Sequence, residues 1–224
     1  AFGMDYTQTF ALQMALPAII VAICAIVFGV LARRRGRFDR DAFSSTVVML
    51  LFLVHPNIAQ AALGTFRCHA EEVAGQLYLH DHVGVTCRDS GRMVVGVLSV
   101  LVWAIGIPLG AFLVLFRQRH RLNDPATRRR WGFVIDGYEA KFWFWEFVVL
   151  ARKLVVVFAA VFLGFDPVFS SFFAAIFLLF FLMAHIAWAP YDSDMLDRLE
   201  TISLLTSVLT QLFTTMYSSY DSEE

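Results

Sequence analysis

The sequence holds little of what most function classes require. Three cysteines, Cys24, Cys68 and Cys87, are too few for a disulfide-dense secreted scaffold. A formal charge of −1 removes any bulk electrostatic case for binding nucleic acid. There is no Walker-type loop, no dinucleotide fingerprint, no His-Glu-x-x-His, and no Ser-His-Asp or Cys-His order. Catalysis therefore finds no support, and no cofactor is expected. No internal repeat, low-complexity tract or Gly/Ser linker divides the chain, so it reads as a single domain over residues 1–224. Residue 1 is Ala rather than Met, which gives the expectation that these residues belong to a longer or processed chain.

What the chain does have is apolar length. It is 58% hydrophobic with mean hydropathy +0.65, above the ~45–50% apolar content of soluble domains. The apolar residues fall in blocks of about 20, the length that spans a ~30 Å hydrocarbon core. The pattern predicts an all-α, polytopic transmembrane helical bundle of about six spanning helices. The first five segments run near residues 10–32, 42–65, 93–116, 142–164 and 168–188, and a sixth ends near Tyr217. Pro17 is expected to kink the first, and His55-Pro56-Asn57 to interrupt the second.

Orientation follows from the short loops. Arg33, Arg34, Arg35, Arg37 and Arg40 follow the first segment, and Arg117, Arg119, Arg121, Arg128, Arg129, Arg130 and Lys141 follow the third. Excess Lys and Arg mark cytosolic loops. Residues 66–92 and the turn Gly164-Phe165-Asp166-Pro167 then face outside or a lumen. Trp131, Trp143, Trp145 and Trp188 are expected near the cytosolic interface, as an aromatic belt. Cys68 and Cys87 share the non-cytosolic segment, where a disulfide persists. The rival is a metal site using Cys68-His69 and His80-Asp81-His82, although that spacing matches no closed zinc motif. Cys24 reads as a small buried apolar residue.

Two constellations remain. Glu146, Arg152 and Lys153 lie within the fourth segment, where a basic group costs roughly 2.5–3.5 kcal/mol on insertion scales. They require partners from other helices, and Glu200 and Asp197 are the candidates. The readings left open are a structural ion pair, a ligand or lipid site, and a voltage sensor. In the sixth segment Ser203, Ser207, Thr210, Thr214 and Ser218 recur at helical spacing on one face. They either hold helices together or line a hydrated path. His55, Asn57 and Gln60 in the second segment either satisfy the carbonyls that Pro56 frees or line a cavity. His185 is expected to be interfacial or in the core.

The run Arg130-Trp131-Gly132-Phe133-Val134-Ile135-Asp136-Gly137-Tyr138, then Phe142-Trp143-Phe144-Trp145-Glu146 and Arg152-Lys153-Leu154, resembles the TRP-like membrane domain of large algal and protist proteins. His55-Pro56, Phe66-Arg67-Cys68, Ile105-Gly106-Ile107-Pro108, and His185 with Ala189-Pro190-Tyr191-Asp192 and Leu196-Asp197 resemble its other elements in order. The resemblance covers most of residues 50–210. It implies a relative of transient receptor potential and polycystin-like cation channels, often placed after a large extracellular region. On that reading the fifth and sixth segments flank an ion path in an oligomer, with Ser203, Ser207, Thr210 and Thr214 lining it. Glu146, Arg152 and Lys153 would form a gating or lipid-sensitive core. The alternative is a non-conducting anchor or scaffold subunit of a larger membrane assembly. Membrane lipids and other subunits are the expected partners, with the plasma or ciliary membrane favoured.

Overall fold

The first apolar block forms α1, Tyr6–Arg35, in a computed structural model that describes residues 5–68, 76–80, 82–87, 89–122 and 124–221. Asp5 opens the helix with a capping box completed by Gln8, and Gly36, at φ 73°, closes it in the left-handed conformation that glycine adopts without a Cβ clash. The second block forms α2, Arg40–Gly64, capped by the Asp39 side chain on the Ala42 N–H at 3.1 Å. Both helices run on through their prolines, Pro17 and Pro56. Neither proline ends a helix, so the expected interruption at His55-Pro56-Asn57 is a single lost hydrogen bond inside a continuous α2.

A short antiparallel hairpin follows, β1 at Tyr78–Leu79 and β2 at His82–Thr86, with an irregular register between its two pairs. Then come α3 at Ser90–Ser99, a π-helical turn at Val100–Ile105, and α4 at Gly106–Gln118. Glycine is required at the join. A Cβ on Gly106 would lie 2.9 Å from the Leu101 carbonyl oxygen, closer than real Cβ atoms come. The second basic loop is not an extended connection. It folds into α5, Pro125–Ile135, amphipathic and packed on α2 through Phe133 against Phe52. Three helices complete the chain: α6 at Trp145–Phe162, α7 at Pro167–Trp188 and α8 at Asp194–Asp221.

The chain divides into two compact units, Ala1–Asp136 and Gly137–Glu224. In the first, α2 is central, touching α1, α5 and the π-helical turn. In the second, α7 and α8 form an antiparallel hairpin and α6 packs on α7. Its core joins Leu178 and Leu182 of α7 to Leu204 and Val208 of α8, with Val156 of α6 against them. The Ser170 hydroxyl of α7 donates to the Ala159 carbonyl of α6 at 3.0 Å, a cross-helix bond typical of packing in lipid.

Four helical stretches are long and apolar enough to cross a membrane: α1, α2, Ser90–Arg121 and α7. Large apolar side chains cover their outer faces, including Ile26, Leu53, Phe180 and Met183, each more than 60% exposed. Soluble monomers do not leave continuous apolar surface of that extent in water. Length and surface together mark a membrane protein. The other two expected spans, α6 and α8, are helical but are not among the four. The three charged side chains of α6 and the hydroxyl stripe of α8 make them more polar.

Candidate functional site

The charged residues of α6 meet a polar cluster built at the start of α6 and around the turn between α7 and α8. Residues 137–139 run antiparallel beside residues 190–192. The Glu139 N–H donates to the Pro190 carbonyl, and the Asp192 N–H to the Gly137 carbonyl, both at 2.9 Å. That pairing stacks Tyr138 on Tyr191, ring centroids 4.7 Å apart. The Tyr138 hydroxyl donates to Glu146 Oε2 at 2.8 Å and lies 3.5 Å from the Tyr191 hydroxyl. Burial, followed by the nearby Glu146 charge, pushes the Tyr138 phenol far above its ordinary range. Burial also raises Tyr191. Both phenols therefore remain protonated donors at any physiological pH.

One turn and a half further along α6, the Arg152 guanidinium donates to Glu200 Oε1 of α8 at 2.7 Å. The two side chains are only 17% and 20% exposed. The partner expected of Glu200 is thus in place. Asp197 does something else: its Oδ1 accepts from the Tyr191 N–H at 3.2 Å and lies 3.6 Å from His185 Nε2. His185, 2% exposed, also donates from Nε2 to the Asp197 carbonyl at 3.1 Å. Since a carbonyl only accepts, Nε2 carries the proton. His185 is a core residue that pins the first turn of α8 to the end of α7. Lys153 is exposed, acts on Glu146 electrostatically, and has no salt bridge among the described residues.

Trp145 belongs to this cluster rather than to an interfacial belt. It is 3% exposed and packs edge-on against Trp188, with His185 alongside. Trp131, 8% exposed, is likewise buried, on the inner face of α5 with Val134 and Ile135. A tryptophan count near a predicted helix end cannot separate belt from core; the neighbouring Val134 and Ile135, buried on the same helix, were the available signal. Trp188, the partner of Trp145 in the edge-on contact, is 55% exposed.

The hydroxyl stripe of α8 is satisfied by its own helix. Ser207 donates to the Ser203 carbonyl, Thr210 to Thr206 and Thr214 to Thr210, each at 2.8–2.9 Å. The side of α8 that packs on α7 is Leu204 and Val208. Ser203, Thr210 and Thr214 are exposed and Ser207 is partly so.

In the first unit Cys68 and Cys87 form a disulfide, Cα atoms 5.7 Å apart, that ties the end of α2 to the hairpin. Both thiolates are thereby withdrawn from metal binding. His69 and Asp81 lie outside the described residues. Cys24 is free and buried. His55 satisfies a carbonyl, but not one freed by Pro56. Its Nε2 donates to the Ala104 oxygen at 2.9 Å. Residue 108, whose N–H would normally take that oxygen, is Pro108. His55 of α2 thus repairs a break in the third span. At the opposite end of α2, Arg130 of α5 donates to Asp41 at 2.7 Å. That ion pair brings the two basic loops to the same end of the unit. Tyr6, at the start of α1, touches His82 at the disulfide end.

The sequence is 33% identical over 206 residues to Cysteine repeat modular protein A of Toxoplasma gondii. The alignment covers 84% of this chain and 6% of that protein, so the chain spans a small part of its relative's length. No protein-family model matches the chain, and no solved structure matches it.

Proposed function

We propose that this chain is the membrane domain of a TRP-like cation channel, with six crossings and with α7 and α8 beside the ion path in an oligomer. The observation that carries the reading is that the hydroxyls of α8 share one face, apart from its core residues and from the exposed apolar Ile202, Leu205 and Leu209. Leu204 and Val208 are used by the chain's own core, while Ser203, Thr210 and Thr214 are left outside it. A hydroxyl face on a spanning helix favours water over acyl chains. Back-bonding to the i−4 carbonyls leaves each hydroxyl oxygen able to accept from water or to coordinate a passing cation. The Arg152–Glu200 contact joins α6 to α8, and the Tyr138–Glu146 contact ties the start of α6 to the segment paired beside the α7–α8 turn. They give a route by which a shift of α6 would reach the lining helix. The end of the first unit that carries both basic loops faces the cytosol, and the disulfide hairpin faces the other side.

Bilayer recordings of the purified protein test this. Thr210→Leu and Thr214→Leu should each reduce cation conductance several-fold. Unchanged currents in both would remove α8 from the path. A second reading has its own support: the relative is some sixteen times longer than the aligned stretch, its name describes cysteine repeats, and a membrane anchor for extracytosolic modules would look the same. An anchor predicts no conductance from any oligomer.

A further inference from the structure

Between α1 and α2, beneath the hairpin, lies a crevice of about 550 Å³. Its walls break the apolar pattern of both spans. On α1, Tyr6, Thr9 and Gln13 recur at spacings of three and four and so share a face. On α2, Asn57 and Gln60 share the face that ends at Gly64. The two stripes look into one space. Seven residues separate Tyr6 from Gln13, and seven separate Asn57 from Gly64. At 1.5 Å per residue the polar lining descends roughly 10 Å into the span. Phe10, Leu16, Ile58 and Leu79 supply the apolar remainder.

Carboxamides at that depth are costly unless hydrogen-bonded. Those of Gln13, Asn57 and Gln60 are exposed on the crevice side and have no hydrogen bond to the protein among the described residues, while the Tyr6 hydroxyl is buried without a partner. The described lining contains no Asp, Glu, Lys or Arg; beside the Tyr6 phenol its one titratable side chain is the exposed His82, against the Tyr6 ring, so the lining favours a neutral guest. The volume falls in the ~300–1,000 Å³ range of small-molecule sites.

We infer that the crevice is a binding site for a neutral amphiphile carrying hydroxyl or amide groups. The carboxamides of Gln13, Asn57 and Gln60 take its polar head, each able to donate and accept. Its apolar part lies on Phe10, Leu16 and Ile58. The site does not depend on ion conduction by the protein.

The test uses the full chain in lipid nanodiscs with a photoreactive, diazirine-bearing monooleoylglycerol as probe. Mass spectrometry should map the adduct to residues 6–16 and 57–64. Competition identifies the source. Excess monooleoylglycerol in the bilayer displaces the probe if the ligand enters from lipid; water-soluble monobutyrylglycerol displaces it if entry is from the aqueous side. Gln13→Leu with Gln60→Leu should lower labelling about tenfold. Ala61→Phe, which fills the crevice and leaves both glutamines, should abolish it and serves if the double variant does not fold. Adducts outside the two stretches, competition by neither glyceride, or undiminished labelling in Ala61→Phe would overturn the assignment.

Discussion

Replacing Glu200 by Met leaves the Arg152 guanidinium without its ion-pair partner in a setting where 83% of its surface is covered. Removing one partner of a fully buried pair costs about 3–5 kcal/mol. Two features reduce that here. The pair is partly exposed, and Glu146 remains close enough to act on Arg152. A loss of about 2 kcal/mol is expected, roughly a thirtyfold shift toward the unfolded form. Removing both charges gives a different result. Arg152→Met with Glu200→Met deletes the desolvation penalty together with the attraction, and should fall within about 1 kcal/mol of the parent. The single variants Glu200→Met and Arg152→Met should therefore not add: their sum should exceed the double by ~2 kcal/mol or more. Denaturation in micelles, followed by the fluorescence of buried Trp145, measures all four proteins. Additive effects, or singles costing under 0.5 kcal/mol, would show that the contact contributes nothing and that both side chains reach water independently.

Other perturbations have equally definite outcomes. His55→Leu orphans the Ala104 carbonyl and should cost about 1–3 kcal/mol; Pro108→Ala, which restores an N–H to that carbonyl, should recover much of the loss, read by thermal unfolding of the pair. Reduction of Cys68–Cys87 opens a loop of sequence separation 19 and should destabilise the first unit by about 3 kcal/mol; non-reducing peptide mapping before and after treatment checks the bond itself. Ala189 caps α7 at φ 39°, so Ala189→Gly should stabilise the second unit by about 1 kcal/mol in the same unfolding assay.

The apolar blocks, the cysteine pair and the existence of partners for Arg152 could all be read from the sequence, because each follows from period, compartment or the expense of a charge in lipid. Glu200 was nameable for the same reason. What could not be read was which side chain meets which when the chain turns back on itself. Tyr138 and Tyr191 are 53 residues apart and become neighbours only through the backbone pairing beside the Ala189 turn. Asp197 looked equivalent to Glu200 as an acid near the start of α8. It lies almost one turn earlier along the same side of α8, which sets it at the α7–α8 turn beside His185 and the Tyr191 N–H instead of opposite Arg152. The second basic loop carried a helical signal in Pro125 and in the buried series Trp131, Val134 and Ile135, but the density of arginines concealed it. His55 was expected to serve the proline beside it. The structure pairs it with Pro108 of another helix, a relation that local spacing does not encode.

The central claim is that lipid surrounds these helices, with the arginine-rich connections of the first unit on one flank and the disulfide on the other. Side-specific thiol labelling in sealed vesicles tests it most directly. The background is low, since Cys68 and Cys87 are bonded and Cys24 is buried. Single variants Arg37→Cys, Arg129→Cys and Ser90→Cys would be treated with an impermeant maleimide before and after lysis. Arg37→Cys and Arg129→Cys should react from the same side and Ser90→Cys from the opposite one; labelling of Arg37→Cys and Arg129→Cys from opposite sides would contradict the claim.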